Sequence, residues 1–141
     1  MIDYSYQETE LLPYNFKEIS NWISYYVSRE TKECGDINYI FCTDEIILET
    51  NRKYLQHDYY TDVITFDYCE GDLISGDIFV SLDTVKSNSE LYSKDFTLEF
   101  LRVLIHGVLH LIGYNDKSDE EIKVMRAKEE DALRLINVAN L

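Results

Sequence analysis

Long apolar runs are missing from this 141-residue chain. No stretch approaches the ~18 apolar residues that a membrane-spanning helix needs, so no span is expected. The opening residues, MIDYSYQETELLPYNF, hold neither the basic nor the apolar region of a signal peptide, and none is expected. Cysteine is scarce: Cys34, Cys42 and Cys69 are an odd, scattered set with no CxxC pair. That argues against a disulfide scaffold and a cysteine-built zinc site, and fits reduced thiols in the cytoplasm. Basic residues are few, 13 Lys and Arg against 27 Asp and Glu, for a formal net charge of −14. A surplus of that size argues against membrane surfaces and against wholesale, non-specific nucleic-acid binding, which uses a basic face. Any RNA contact must then be local, metal-assisted or delivered by a partner. Repeats, low-complexity tracts and linkers are absent too, so residues 1–141 read as one domain, long enough to bury a core.

What is present reads as alternating helices and strands. Phe16, Ile19, Ile23, Tyr26 and Val27 recur at helical spacing and predict a first helix over 15–32, with Gly35 as its punctuation. DINYIFCT (36–43) has the β-branched and aromatic content of a strand, and Thr43 can cap a second helix over 44–55. DVITFDY (62–68) and GDIFVSL (76–82) are further strands around a polar turn, followed by a short helix over 83–92. An apolar helix starts at Thr97 and ends at Gly113; Ser118 with Glu121 opens a last, mostly polar helix to about Ile136. Three or four strands with four or five helices predict an α+β fold, or mixed α/β layers.

The apolar helix poses the chemical question. FLRVLIHGVLHLIGYND (100–116) has almost no polar face, yet it carries His106 and His110, two of only three histidines in the chain. Residues four apart share a helix face, so both imidazoles can address one ion. Gly113 lets the chain fold back and brings Asp116 within reach, in the spacing H-x3-H-x5-D. Three protein ligands leave a position for water, as in catalytic rather than structural zinc sites, and such an ion lowers the pKa of its water toward ~7. The competing reading is two core histidines satisfied by neighbouring backbone, but the glycine and the carboxylate would then need separate explanations. The spacing partly matches the zinc-protease signature HExxHxxGxxH, except that Gly107 stands where that pattern has its glutamate base, which disfavours peptide hydrolysis.

HGVLHLIGYND resembles the HGxLHLxGYDH signature of the YbeY-type bacterial rRNA maturation factors. NRKYLQHDYYTDVITF (51–66) is similar to that family's N-x-x-Y-x-x-x-D-x-x-T-D-V-L-S-F block, and GDIFVS (76–81) to the G-D-I strand after it. The resemblance implies a zincin-like fold: a small, mostly parallel sheet of about four strands, four to five helices, and the metal helix central. It implies a zinc-dependent endoribonuclease that cleaves single-stranded RNA in the cytoplasm, in small-subunit rRNA 3′-end maturation and ribosome quality control. One Zn²⁺ per chain is expected on His106, His110 and Asp116. The expected partners are a small-subunit rRNA precursor and the ribosomal small subunit or its proteins, with no membrane and no DNA.

Two positions depart from the family pattern. Asp116 stands where the family usually has a histidine ligand, and the preceding Asn115 is a poor zinc ligand. Leu55 stands where the family typically has an arginine suited to a phosphate contact. Arg52, Lys53, Arg102 and His57 are the available substitutes. Arg102, one turn before His106, either snorkels at the helix start or reaches into the cleft. His57 sits in a polar loop, where an exposed or hydrogen-bonded side chain is the default and a substrate-side role the alternative. Asp62 and Thr61 read as turn or capping residues. Two other functions remain open: a metal-dependent protease, and a non-catalytic assembly factor whose zinc organises the cleft.

Overall fold

The structure, a computed structural model, describes residues 1–55 and 62–141. In chain order its elements are β1 (Ile2–Tyr6), α1 (Phe16–Arg29), β2 (Glu33–Cys42), α2 (Asp44–Thr50), β3 (Val63–Asp67), β4 (Leu73–Ser81), α3 (Leu82–Leu91), α4 (Phe96–Ile112) and α5 (Asp119–Leu133). The strands form one sheet in the order β1-β2-β4-β3, parallel except for the β3–β4 pair. This is the mixed α/β fold that the element pattern predicts, with the mostly parallel sheet that the family resemblance implies.

α4 organises the interior. Leu101, Val103, Leu104, Ile105, Val108 and Leu109 are fully buried, each worth roughly 1.5–3 kcal/mol of burial. They share one core with Ile37, Tyr39 and Phe41 of β2 and Ile78 and Val80 of β4, residues that alternate along their strands as a buried face requires. The Tyr39 hydroxyl donates to the Leu104 carbonyl at 2.8 Å, pinning the middle of α4 to the sheet. Trp22 of α1 donates its indole N–H to the Ala132 carbonyl of α5 at 2.8 Å. Both ends of α4 are built locally. Asp95 accepts from the backbone of Thr97 and Leu98 at its start, and Gly113 closes it with φ 121°, a conformation side chains resist. The Ser118–Glu121 capping box opens α5 as its spacing predicts.

Three local expectations need correction. Residues 2–6, left unassigned from sequence, form β1: Ile2, Tyr4 and Tyr6 face the core, and Tyr4 stacks on Tyr39 at 5.5 Å between centroids. Five residues are too few to announce a strand, and the partner β2 lies some 35 positions on. Gly35 does not end the first helix, which stops at Arg29. It lies inside β2, where the register shifts between Cys34 and Ile37. A Cβ there would sit 2.3 Å from Ser75 Oγ and 3.0 Å from the Ile74 carbonyl, so a side chain would displace the Ser75 hydroxyl and crowd the neighbouring backbone. The second helix is α-helical only to Thr50 and continues as a π-helical turn over Asn51–Leu55. The Thr50 hydroxyl donates back to the Ile46 carbonyl at 2.7 Å, competing with the backbone ladder where the helix widens. No helix among the described residues is long and apolar enough to cross a membrane.

Candidate metal centre

His106 and His110 project from the same face of α4, their Nε2 atoms 3.0 Å apart and their rings nearly perpendicular. Beyond Gly113 the chain turns, and Asp116 Oδ2 comes to 3.3 Å from His106 Nε2 and 3.5 Å from His110 Nε2. All three side chains are partly buried. The far nitrogen of each ring is engaged. His106 Nδ1 lies 2.6 Å from Glu129 Oε2, and His110 Nδ1 lies 3.0 Å from the Tyr114 carbonyl. Two imidazole nitrogens and a carboxylate oxygen therefore converge, a donor set suited to zinc. Their separations of 3.0–3.5 Å match the edge, about 3.3 Å, of a tetrahedron with metal–nitrogen bonds of about 2.0–2.1 Å. The residues fit the ion. His110 is held below the ordinary histidine value by burial first and by His106 beside it, against the pull of Asp116 and the Tyr114 carbonyl. This favours the neutral ring, the form that binds a metal.

The centre opens on a cleft of about 560 Å³ lined by Asp62, Asn88, Tyr92, Arg102 and Asp116 among others. Arg102 points into this cleft and does not snorkel at the helix start. Its guanidinium binds both carboxylate oxygens of Glu99, approaches Glu129 Oε1 at 3.2 Å and reaches Asp62 Oδ2 at 3.6 Å. Burial works to lower the Arg102 pKa, but Glu99 and Glu129 outweigh it and raise the value. Burial likewise works to raise the Glu129 carboxyl, and the His106 hydrogen bond with the Arg102 charge holds it below the ordinary range.

Glu99 and Glu129, 3% and 1% exposed, are the site residues that sequence reasoning misses. The last helix, mostly polar in sequence, turns Glu129 inward from its acidic run. The available signal was a demand for counter-charge: Arg102 and His106 sit on a helix otherwise almost wholly apolar. His57 and Thr61 lie outside the described residues. Lys53 stacks over Tyr54, 5.3 Å from the ring centroid, beside a separate groove lined by Ile46, Glu49 and Phe79.

Gly107, between the two histidines, faces the sheet. A Cβ there would lie 2.8 Å from Ile78 Cγ2 and 3.5 Å from Val63 Cγ2, so a glutamate has no room. The glycine lets α4 approach β4 and β3 closely, and its position cannot supply a protease's general base.

A mostly parallel α/β sheet packed on a buried helix, with His106 and His110 on that helix and Asp116 just beyond its end, defines an α/β protein with a candidate metal site. The family model described as Endoribonuclease YbeY matches residues 3–137. The chain belongs to that family, a family of hydrolytic nucleases. It is 52% identical over 138 residues to the Endoribonuclease YbeY of Phocaeicola vulgatus, covering 98% of this chain and 100% of the relative. It is 50% identical over 135 residues to that of Parabacteroides distasonis, covering 96% and 95%. Among solved structures, a solution structure from Thermotoga maritima aligns with a TM-score of 0.64 at 27% identity, covering 95% of this chain and 90% of that one.

Proposed function

We propose that this protein is a zinc-dependent, single-strand-specific endoribonuclease acting on the small-subunit rRNA precursor in the cytoplasm, with residues 1–141 working as one unit. The observation that carries this reading is the convergence of His106, His110 and Asp116 beside a cleft, in a chain of the YbeY endoribonuclease family. A zinc ion held by those three residues would supply Lewis acidity and a hydroxide source at neutral pH. The chain's own residues prepare the site for it. His106 and His110 each engage Nδ1 elsewhere and leave Nε2 as a donor. Asp116 adds a negative charge beside both rings. The fully buried residues of α4 keep water from the inner side, so hydrolysis is confined to the cleft side. Arg102 is engaged by Glu99, Glu129 and Asp62, which favours a supporting role over a direct phosphate contact.

With a net charge of −14, affinity for RNA comes from the ribosomal small subunit or its proteins, where quality control of the particle would also be exerted. The isolated protein is expected to bind free RNA weakly. Tight, salt-sensitive gel shifts with many unrelated RNAs would overturn that part.

Elemental analysis of tag-free wild type and His110→Ala tests the centre. One zinc per chain, lost in the variant together with single-stranded RNA cleavage, is the expected result. No zinc in the wild type after zinc addition would refute the metal reading.

A further inference from the structure

We infer that Glu129 is a positioning residue: it sets the tautomer of His106, so that the ring turns its Nε2 lone pair toward His110 and Asp116. The inference deepens the proposed function and rests on its metal reading. A neutral imidazole carries its proton on either nitrogen, and only the unprotonated one can bind a metal. Glu129 Oε2, 2.6 Å from His106 Nδ1, is an acceptor with no proton to give, so the ring proton is drawn to Nδ1. The two carboxylate oxygens divide the work. Oε1 receives Arg102 Nη1 at 3.2 Å and Arg126 Nη1 at 3.1 Å, which leaves Oε2 to His106.

Geometry makes the arrangement stiff. Glu129 is 1% exposed, and Arg102 is itself gripped by Glu99 and Asp62. The carboxylate arrives from α5 and the histidine from α4, so a contact between two helices aims one ligand. The other ligand is treated differently: His110 Nδ1 is opposite a backbone carbonyl, that of Tyr114, which no side-chain substitution removes. The Tyr114 hydroxyl donates in turn to Glu30, which also receives Lys128. Glu129 is thus the side chain on which one metal ligand, and not both, depends. A purely structural buried ion pair would lack this selectivity, because its loss would lower stability without moving a ring proton.

The test combines tautomer and affinity readouts. In metal-free wild type with ¹⁵N-labelled histidine, long-range ¹H–¹⁵N spectra at mildly alkaline pH should show His106 protonated at Nδ1. A proton found on Nε2 would overturn the inference without recourse to any variant. Glu129→Gln keeps the shape but can donate as well as accept, so the tautomer bias should disappear. Zinc affinity from chelator competition should fall by roughly 10- to 100-fold. Val85→Ala, a core truncation outside the residues that line the cleft, should lower the unfolding midpoint and leave both readouts unchanged. Glu129→Asp, which restores the carboxylate, should recover the tautomer bias, and if Glu129→Gln does not fold the wild-type spectrum still decides. Wild-type tautomer and zinc affinity retained in Glu129→Gln would refute the role. If the wild type takes up no zinc, the metal reading fails by itself, and the tautomer spectra still decide whether Glu129 sets the ring.

Discussion

Replacing Gly107 by alanine should destabilise the protein, although alanine is the better helix former. On an exposed helix the exchange would gain about 1 kcal/mol. Here the added methyl would meet Ile78 Cγ2 at 2.8 Å and Cδ1 at 3.2 Å. Ile78 cannot swing away freely, because it is fully buried within the core beneath α4. Overpacking of this kind costs about 1–3 kcal/mol, so with the propensity gain subtracted the net expectation is a loss of up to about 2 kcal/mol.

The structural cause can be isolated with a double-mutant cycle. Ile78→Ala alone should cost about 2–5 kcal/mol. In that background the clash is gone, and Gly107→Ala should become stabilising by about 1–2 kcal/mol through helix propensity and the refilled space. The coupling between the two sites is then about 1–4 kcal/mol, above the few tenths seen between independent positions. Urea unfolding of metal-free protein followed by circular dichroism measures it. A stabilising Gly107→Ala in the wild-type background, or a coupling near zero, would refute close helix–sheet contact as the reason for this glycine.

Other perturbations probe different parts of the structure. Arg102→Leu removes the main counter-charge of Glu99 and a partner of Glu129, 3% and 1% exposed; urea unfolding should show a loss of about 3–5 kcal/mol. Asp116→Asn keeps size but removes the anionic donor, so elemental analysis should find zinc well below one per chain while the metal-free midpoint stays near wild type. Tyr26 is pushed up to about 12 by burial first and then by Glu30. Its contribution to stability is therefore complete below its unfolded value of 10.0 and is lost as pH rises through about 12. Tyrosinate absorbance should show Tyr26, with Tyr4 and Tyr39, silent until alkaline unfolding, and their ionisation in folded protein at pH 10 would contradict this. Cys42, fully buried with its thiol pushed up to about 12, should resist a thiol reagent at neutral pH until the chain is unfolded.

The fold was legible where the signal is local. Caps at Thr43 and Ser118, the glycine stop at 113 and the alternation in β2 and β4 are each written within a few residues of where they act. β1 was not, because Ile2–Tyr6 becomes a strand only through parallel pairing with β2 and packing of Tyr4 on Phe16 and Tyr39. The π-helical turn after Thr50 was also missed, since the apolar stripe of 44–55 reads as one helix whichever way its backbone bonds are shared.

The candidate site divides the same way. Helix periodicity and a glycine suffice to juxtapose His106, His110 and Asp116, since 11 residues of chain contain all three. The buried carboxylates were hidden for a different reason. A charged or hydrogen-bonding group on an apolar helix creates a definite demand for a partner, but any of 27 acidic residues can answer it. Glu99 answers locally, at i,i+3 from Arg102, and could have been chosen on helix geometry alone. Glu129 answers from α5, whose acidic stretch KEED offers Glu129, Glu130 and Asp131 in succession. What singles out Glu129 is the face it shares with buried Met125 and Ala132, at spacings of four and three. The apolar stripe of that helix therefore held the information. A carboxylate in line with it is bound to be buried, and a buried carboxylate needs the cations that α4 and Arg126 provide.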